Sequence, residues 1–325
     1  MKSYILSSLF IFFLIFTLPL AVIPLSVSND NTSSVSEATD SAGSVRVLQV
    51  STGNVITLDL QEYLTGAVAA EMPASFSDEA LKAQAIACYT YTLWILKNAD
   101  RAPDELFDIS DDSNKHQGYL TMADMKEKWG EKFDKYYEKI KNAVSSTRGY
   151  YLSFSDEPAM TVFHGLSSGK TVSCKELWGY DIPYLISTDA PGDKLSPDLI
   201  SENVYTKEEF KAAINKITGG NLPSYYEADT SDITQEGFVN SITVNGNKIS
   251  CTDIRSGFSL KSSRFKIKMT KNEVTFTVYG KGHGIGMSQY SADFMARQGS
   301  DYKEILAHFY PGTELKINKH LQNSF

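Results

Sequence analysis

The sequence predicts an α+β protein, with helices and antiparallel strands mixed around a central cleft and an N-terminal membrane-spanning helix ahead of them. Three observations predict it. Short β-rich runs flank turn residues, most clearly Ile242-Thr243-Val244 and Lys248-Ile249 around Asn245-Gly246, a dipeptide that favours a two-residue hairpin. Capped amphipathic helices interrupt those runs, as where Thr206 stands three residues before Glu209 and leads an apolar face of Phe210, Ala213, Ile214 and Ile217. Tyr4 to Val27 carries no charge, and a span of ~20 apolar residues crosses a bilayer.

The elements follow in order. Residues 1–27 are expected to be a retained anchor at the cell membrane, preceded by Lys2. A cleaved signal peptide is the alternative, although Pro19 and Pro24 interrupt the end of the run and leave poor cleavage sites. Both place the body outside the cytoplasm. Residues 28–44, rich in Ser, Thr, Asn and Asp, read as a tether, and residues 45–325 as one folded domain. Its first strands lie either side of Ser51-Thr52-Gly53-Asn54. Asp59, with Glu62 three residues on, caps a helix that runs to about Met72. Pro73 to Phe76 join it to a second helix, which starts after Ser77 with Asp78 and Glu79 at its positive end.

Asp100 to Tyr119 is a polar, acidic loop that lacks the glycine and glutamate of a calcium loop. A helix is expected over Lys126 to Val144, then strands at Tyr150 to Phe154 and Met160 to Phe163 around a turn. The helix after Thr206 stops at Gly219-Gly220. Phe265 to Met269 and Val274 to Tyr279 alternate as strands. A helix through Met295 ends at Gly299, and a last one, with Asp301 and Glu304 at its start, ends at Pro311-Gly312.

Composition narrows the function. The net charge is −8 over 325 residues, which argues against a general nucleic-acid binder and suits a neutral or sugar-like substrate or a protein partner. Cys88, Cys174 and Cys251 are widely spaced and define no disulfide framework. Cys88 falls on the apolar stripe of Leu81, Ala85 and Thr92 and reads as an inert buried thiol. His164, Cys174 and His283 are the conceivable zinc ligands, but no adjacent ligand pair has zinc spacing, so no cofactor is expected.

Three stretches carry chemistry. Glu71 ends the apolar run Gly66 to Ala70, just ahead of Met72-Pro73. A helix rarely continues through proline, so Glu71 falls at the negative end of its helix, where the dipole favours the protonated acid that general-acid catalysis needs. The plain alternative is a surface glutamate that happens to precede Met-Pro. The second stretch, His164-Gly165-Leu166-Ser167-Ser168-Gly169-Lys170-Thr171 with Trp178 beyond it, offers hydroxyls, amides and a ring for stacking on a sugar. The third, Gly282-His283-Gly284-Ile285-Gly286-Met287-Ser288-Gln289, fits no phosphate loop; its alternating glycines allow close backbone approach.

Together these residues resemble the stage II sporulation protein D family, the peptidoglycan lytic transglycosylases of endospore-forming bacteria. The resemblance rests on Glu62-Tyr63, Glu71-Met72-Pro73, Glu79 to Ala85 and Thr90-Tyr91, then on the His164 and Trp178-Gly179 stretch. It is strongest over Gly282 to Gln289 and closes at Ile305-Leu306 and Tyr310. It implies that Glu71 is the catalytic acid and base, cleaving the β-1,4 bond from N-acetylmuramic acid to N-acetylglucosamine to leave 1,6-anhydro ends. The candidate substrate-binding residues are Lys82, Gln84, Tyr89, His164, Ser167, Ser168, Thr171, His283, Ser288 and Gln289. The implied partners are peptide-stripped glycan strands, an amidase and the membrane scaffold of engulfment, at the septal membrane. A non-catalytic enhancer of an amidase, or a hydrolase that uses water, is the rival expectation. Tyr89 stands where the family usually has arginine, and Ser168 where it usually has glycine. Some members bind zinc through extra cysteines; only Cys174 is present near the second stretch, so zinc is not carried over.

Overall fold

The computed structural model describes residues 43–99, 106–112, 115–224 and 226–318. The expected anchor and nearly all of the tether lie outside these residues. Among the described residues no helix is long and apolar enough to cross a membrane. The fold is mixed α+β with mainly antiparallel sheets. The described chain forms two compact units, neither contiguous in sequence: 43–71, 88–160 and 316–318 in the first, and 72–87 and 161–315 in the second.

In the first unit β1 (Ser44–Gln49) and β2 (Asn54–Asp59) form the expected hairpin, and the two-residue β3 (Ile109–Ser110) adds to β1 in parallel. Asp59 closes β2 and its carboxylate accepts the Gln61 amide at 2.8 Å, which starts α1 (Leu60–Glu71). Every residue of α1 from Tyr63 to Ala69 is buried, so it is a core helix through its middle turns, with the hydroxyl of Thr65 donating to the Gln61 carbonyl. Helix α2 (Asp78–Asn98) begins in the second unit and passes into the first at Cys88.

The helix expected over Lys126 to Val144 is instead two. Thr121 and Asp124 make a reciprocal capping box that starts α3 (Met122–Trp129) earlier. Gly130, at φ +50°, then breaks it before α4 (Phe133–Ser146), which packs on α1. Strand β4 (Tyr150–Phe154) turns through Ser155 and Asp156, both at positive φ, into β5 (Glu157–Pro158). Strand β14 (Glu314–Ile317) lies on the other side of β4.

The second unit holds two three-stranded antiparallel sheets. In one, β9 (Val239–Val244) runs between β8 (Ala228–Ile233) and β10 (Asn247–Ser250), with Asn245 and Gly246 both at positive φ as the dipeptide requires. In the other, β12 (Glu273–Tyr279) runs between β11 (Phe265–Met269) and β7 (Ile200–Thr206). Phe210 and Ile214 of the helix Lys207–Thr218 pack with Phe258, Phe265 and Phe276 in one apolar core. Beyond the sheets, the strand expected over Met160 to Phe163 is reduced to β6 (Phe163–His164). It pairs in parallel with β13 (Met287–Ser288), which lays the second and third chemical stretches side by side.

Candidate functional site

Glu71 is the last residue of α1 and is half-buried. The Gly118 amide donates to its Oε1 at 2.5 Å. A side chain at position 118 would not fit there without displacement: a Cβ would lie 3.2 Å from Ala70 Cβ and 3.2 Å from Glu71 Oε1. The N–H donor fixes the orientation of the carboxyl group through Oε1. The last turn of α1 has no basic residue of its own; Lys128 supplies one from α3, its Nζ donating to the Ala69 carbonyl at 3.0 Å. Burial, and then the Glu71 charge, push the Tyr91 phenol up to about 12, so Tyr91 stays a neutral hydroxyl beside the acid. Tyr89, in the same unit, is 3% exposed, and its hydroxyl accepts from Asn318 at 3.5 Å. It is part of the interior here.

In the second unit the β6–β13 pairing brings His164 and His283 together, their ring centroids 5.8 Å apart. Ile285 fixes the tautomer of both. Its carbonyl faces His164 Nδ1 at 3.1 Å, so that nitrogen carries the hydrogen and Nε2 is the lone-pair nitrogen. His164 Nε2 is buried and has no partner among the described residues. The Ile285 amide donates to His283 Nδ1 at 3.1 Å, which leaves the hydrogen on Nε2, bonded to the Phe163 carbonyl. Burial holds His164 below the usual imidazole range, against the opposing effects of Asp193 and the Ile285 carbonyl. His283 is held down to about 3, by burial first and then by His164 and Arg255. Both rings are therefore neutral at pH 7. Trp178 lies against His283, centroids 5.1 Å apart.

Asp193 organises these loops and was not singled out by sequence. It is wholly buried and accepts from the Ser167 amide at 2.6 Å and from the hydroxyls of Ser167 at 2.5 Å, Ser288 at 2.7 Å and Ser291 at 2.6 Å. Four donors on one side chain meet the hydrogen-bonding need of a buried carboxyl group.

The expected substrate-binding residues thus divide. Ser167 and Ser288 spend their hydroxyls on Asp193. Thr171 is buried, donates to the Ile186 carbonyl at 3.3 Å and accepts from the Thr188 amide at 2.8 Å. Gln84 and Gln289 are buried and face each other at 3.3 Å. Lys82 pairs with Glu79 at 2.7 Å and Ser168 accepts from Arg264. Of the ten, Lys82, Ser168 and His283 keep partial exposure. Cys174 is a buried thiol pushed up to about 11 by burial, and no three of His, Cys, Asp or Glu among the described residues are grouped to hold a metal ion.

Comparison with known proteins bears on this arrangement. A family model described as Stage II sporulation protein matches residues 49–154, a stretch that holds Glu71, Tyr91 and Gly118. The chain is similar to Stage II sporulation protein D of Bacillus subtilis, 33% identical over 293 residues, covering 86% of this chain and 82% of that protein. It is similar to Stage II sporulation protein D of Bacillus amyloliquefaciens, 33% identical over 277 residues, covering 85% and 79%. It is also similar to the amidase enhancer of Bacillus subtilis, 27% identical over 304 residues, covering 78% of this chain and 40% of the enhancer.

Proposed function

Since the chain belongs to the stage II sporulation protein D family, we propose that it is a lytic transglycosylase that cleaves peptidoglycan glycan strands during sporulation. The observation that supports this reading is the Gly118 amide on Glu71 Oε1, which orients a carboxyl group at the C-terminal end of α1, where the helix dipole favours the protonated acid. Glu71 Oε2–H gives its proton to the oxygen linking N-acetylmuramic acid to N-acetylglucosamine. The C1–O4 bond breaks as oxocarbenium character develops at C1. The resulting carboxylate then takes the proton of the sugar's own C6 hydroxyl while O6 bonds to C1, closing a 1,6-anhydro ring. Glu71 ends protonated, as it began, and no water is consumed. Inverting or retaining hydrolysis calls for a second carboxylate; this route needs one. Trp178 beside His283 offers a ring edge for a sugar, and the exposed part of His283 a polar contact.

The substrate in this reading is glycan already stripped of peptide, supplied by an amidase held with the enzyme in the engulfment machinery. The body works outside the cytoplasm at the septal membrane, anchored by residues 1–27 through the tether of residues 28–44. The likeness to the amidase enhancer supports a second reading, a wall-binding protein that raises amidase activity without cutting glycan. Purified protein incubated with stripped glycan strands separates these by mass spectrometry. Anhydro ends are expected, and E71Q should lower their rate of appearance by about 10²–10⁴-fold. Reducing ends in place of anhydro ends would assign a hydrolase. Intact strands together with a stimulated amidase would assign the enhancer.

A further inference from the structure

We propose that Gln117 is a positioning residue: its buried side-chain amide fixes the loop that aims the Gly118 N–H at Glu71. Gln117 is 2% exposed. Its Nε2 stands 2.9 Å from the Tyr63 hydroxyl on α1, and 3.2 Å from the Cys88 carbonyl and 2.7 Å from Thr92 Oγ1 on α2. One amide group therefore ties the loop to both helices, one residue before the donor that meets the acid. The Cys88 carbonyl can only accept, which sets the nitrogen toward the helices and fixes the amide's orientation. Burial pushes the Tyr63 phenol far above its ordinary value, so it remains a neutral hydroxyl that can accept from Nε2.

The loop is held on either side of this strut. His116 Nδ1 accepts the Ser110 amide at 3.1 Å, and the Leu120 amide donates to the Gly66 carbonyl at 3.2 Å. Tyr119 stacks on Tyr63, centroids 5.9 Å apart and planes 12° apart. Between these anchors the Gly118 amide has little freedom. Gln117 Oε1 is buried and meets no partner among the described residues. The strut's contribution is to placement, and misplacing a catalytic group by about 1 Å lowers turnover by ~10²-fold.

The activity arm of the test rests on Glu71 being the acid; the structural arm does not. Q117M keeps the length and removes the donor. In the full chain, hydrogen exchange should quicken about tenfold or more in peptides covering 115–120, while α1 and α2 keep their protection. Per folded molecule, kcat on stripped glycan should fall about 10–100-fold with KM within about threefold. T92V, which removes the 2.7 Å acceptor and keeps Gln117, should move both readouts the same way to a smaller extent, and it serves alone should Q117M not fold. Loss of protection across α1 and α2 as well as the loop would make Gln117 a packing residue and overturn the proposal. So would an unchanged kcat in Q117M when E71Q is inactive. Full activity in E71Q would overturn the catalytic reading instead, leaving the exchange pattern to decide the role of Gln117.

Discussion

His283 shows how one side chain makes the fold sensitive to acid. In the unfolded chain a histidine titrates near 6.5; in the folded protein this one is held down to about 3. As pH falls through about 6.5 the unfolded state takes up a proton that the folded state refuses, so stability present above that pH is lost as pH drops toward 3. His164, also depressed, acts in the same direction. The urea midpoint should therefore fall between pH 7 and pH 4, and H283Q should flatten that fall. A midpoint equally pH-dependent in H283Q would assign the effect to other groups. At this scale the sequence marks Glu71 well, because an acid between an apolar run and Met-Pro is locally odd. It does not mark Asp193, which follows Pro191-Gly192 and looks like any turn aspartate. Its donors come from 26 to 98 residues away, and only the folded chain brings them together.

The elements whose signals are local are the ones that sequence reveals. The Asp59, Thr206 and Asp301 caps and the Asn245-Gly246 hairpin all form where they are expected. Strand β7 carries no strand signal in the sequence, because its apolar residues Ile200 and Val204 are more than half exposed while Ser201, Asn203 and Tyr205 face inward. The helix expected over Lys126 to Val144 continued the pattern across Gly130, whose φ of +50° only a three-dimensional view reveals. Gly66 offers a test of how tightly α1 accepts its neighbouring loop. Alanine is favoured over glycine in a helix by about 1 kcal/mol, yet a Cβ here would sit 2.3 Å from the Tyr119 ring and 2.6 Å from the Leu120 carbonyl. G66A should therefore lose about 1–3 kcal/mol in urea unfolding despite its better propensity, because overpacking outweighs the helix preference. A stabilised G66A would mean that the loop yields freely.

For the molecule as a whole, the sequence orders the chemical stretches but does not tell which of them share a unit. Glu71 and Tyr89 fall in one, and the two histidines, Trp178 and Asp193 in the other, because the chain crosses between units inside a continuous helix, where composition shows no seam. Asp193 gives this division a test. D193N replaces two acceptor oxygens with an amide that cannot accept from all four donors, and each buried donor left unsatisfied costs about 1–3 kcal/mol. Exchange should quicken across residues 161–315 of D193N and far less in 88–160; equal loss in both would make the two units one cooperative body.

That interleaving also sets a timetable for synthesis. The unit that holds Glu71 includes residues 316–318, where the Asn318 amide donates to the Gly149 carbonyl at 2.8 Å. A chain made from its N-terminus cannot complete this unit until residues 316–318 have emerged, so the unit that holds Glu71 is closed only after the whole 161–315 stretch of the other unit has been made.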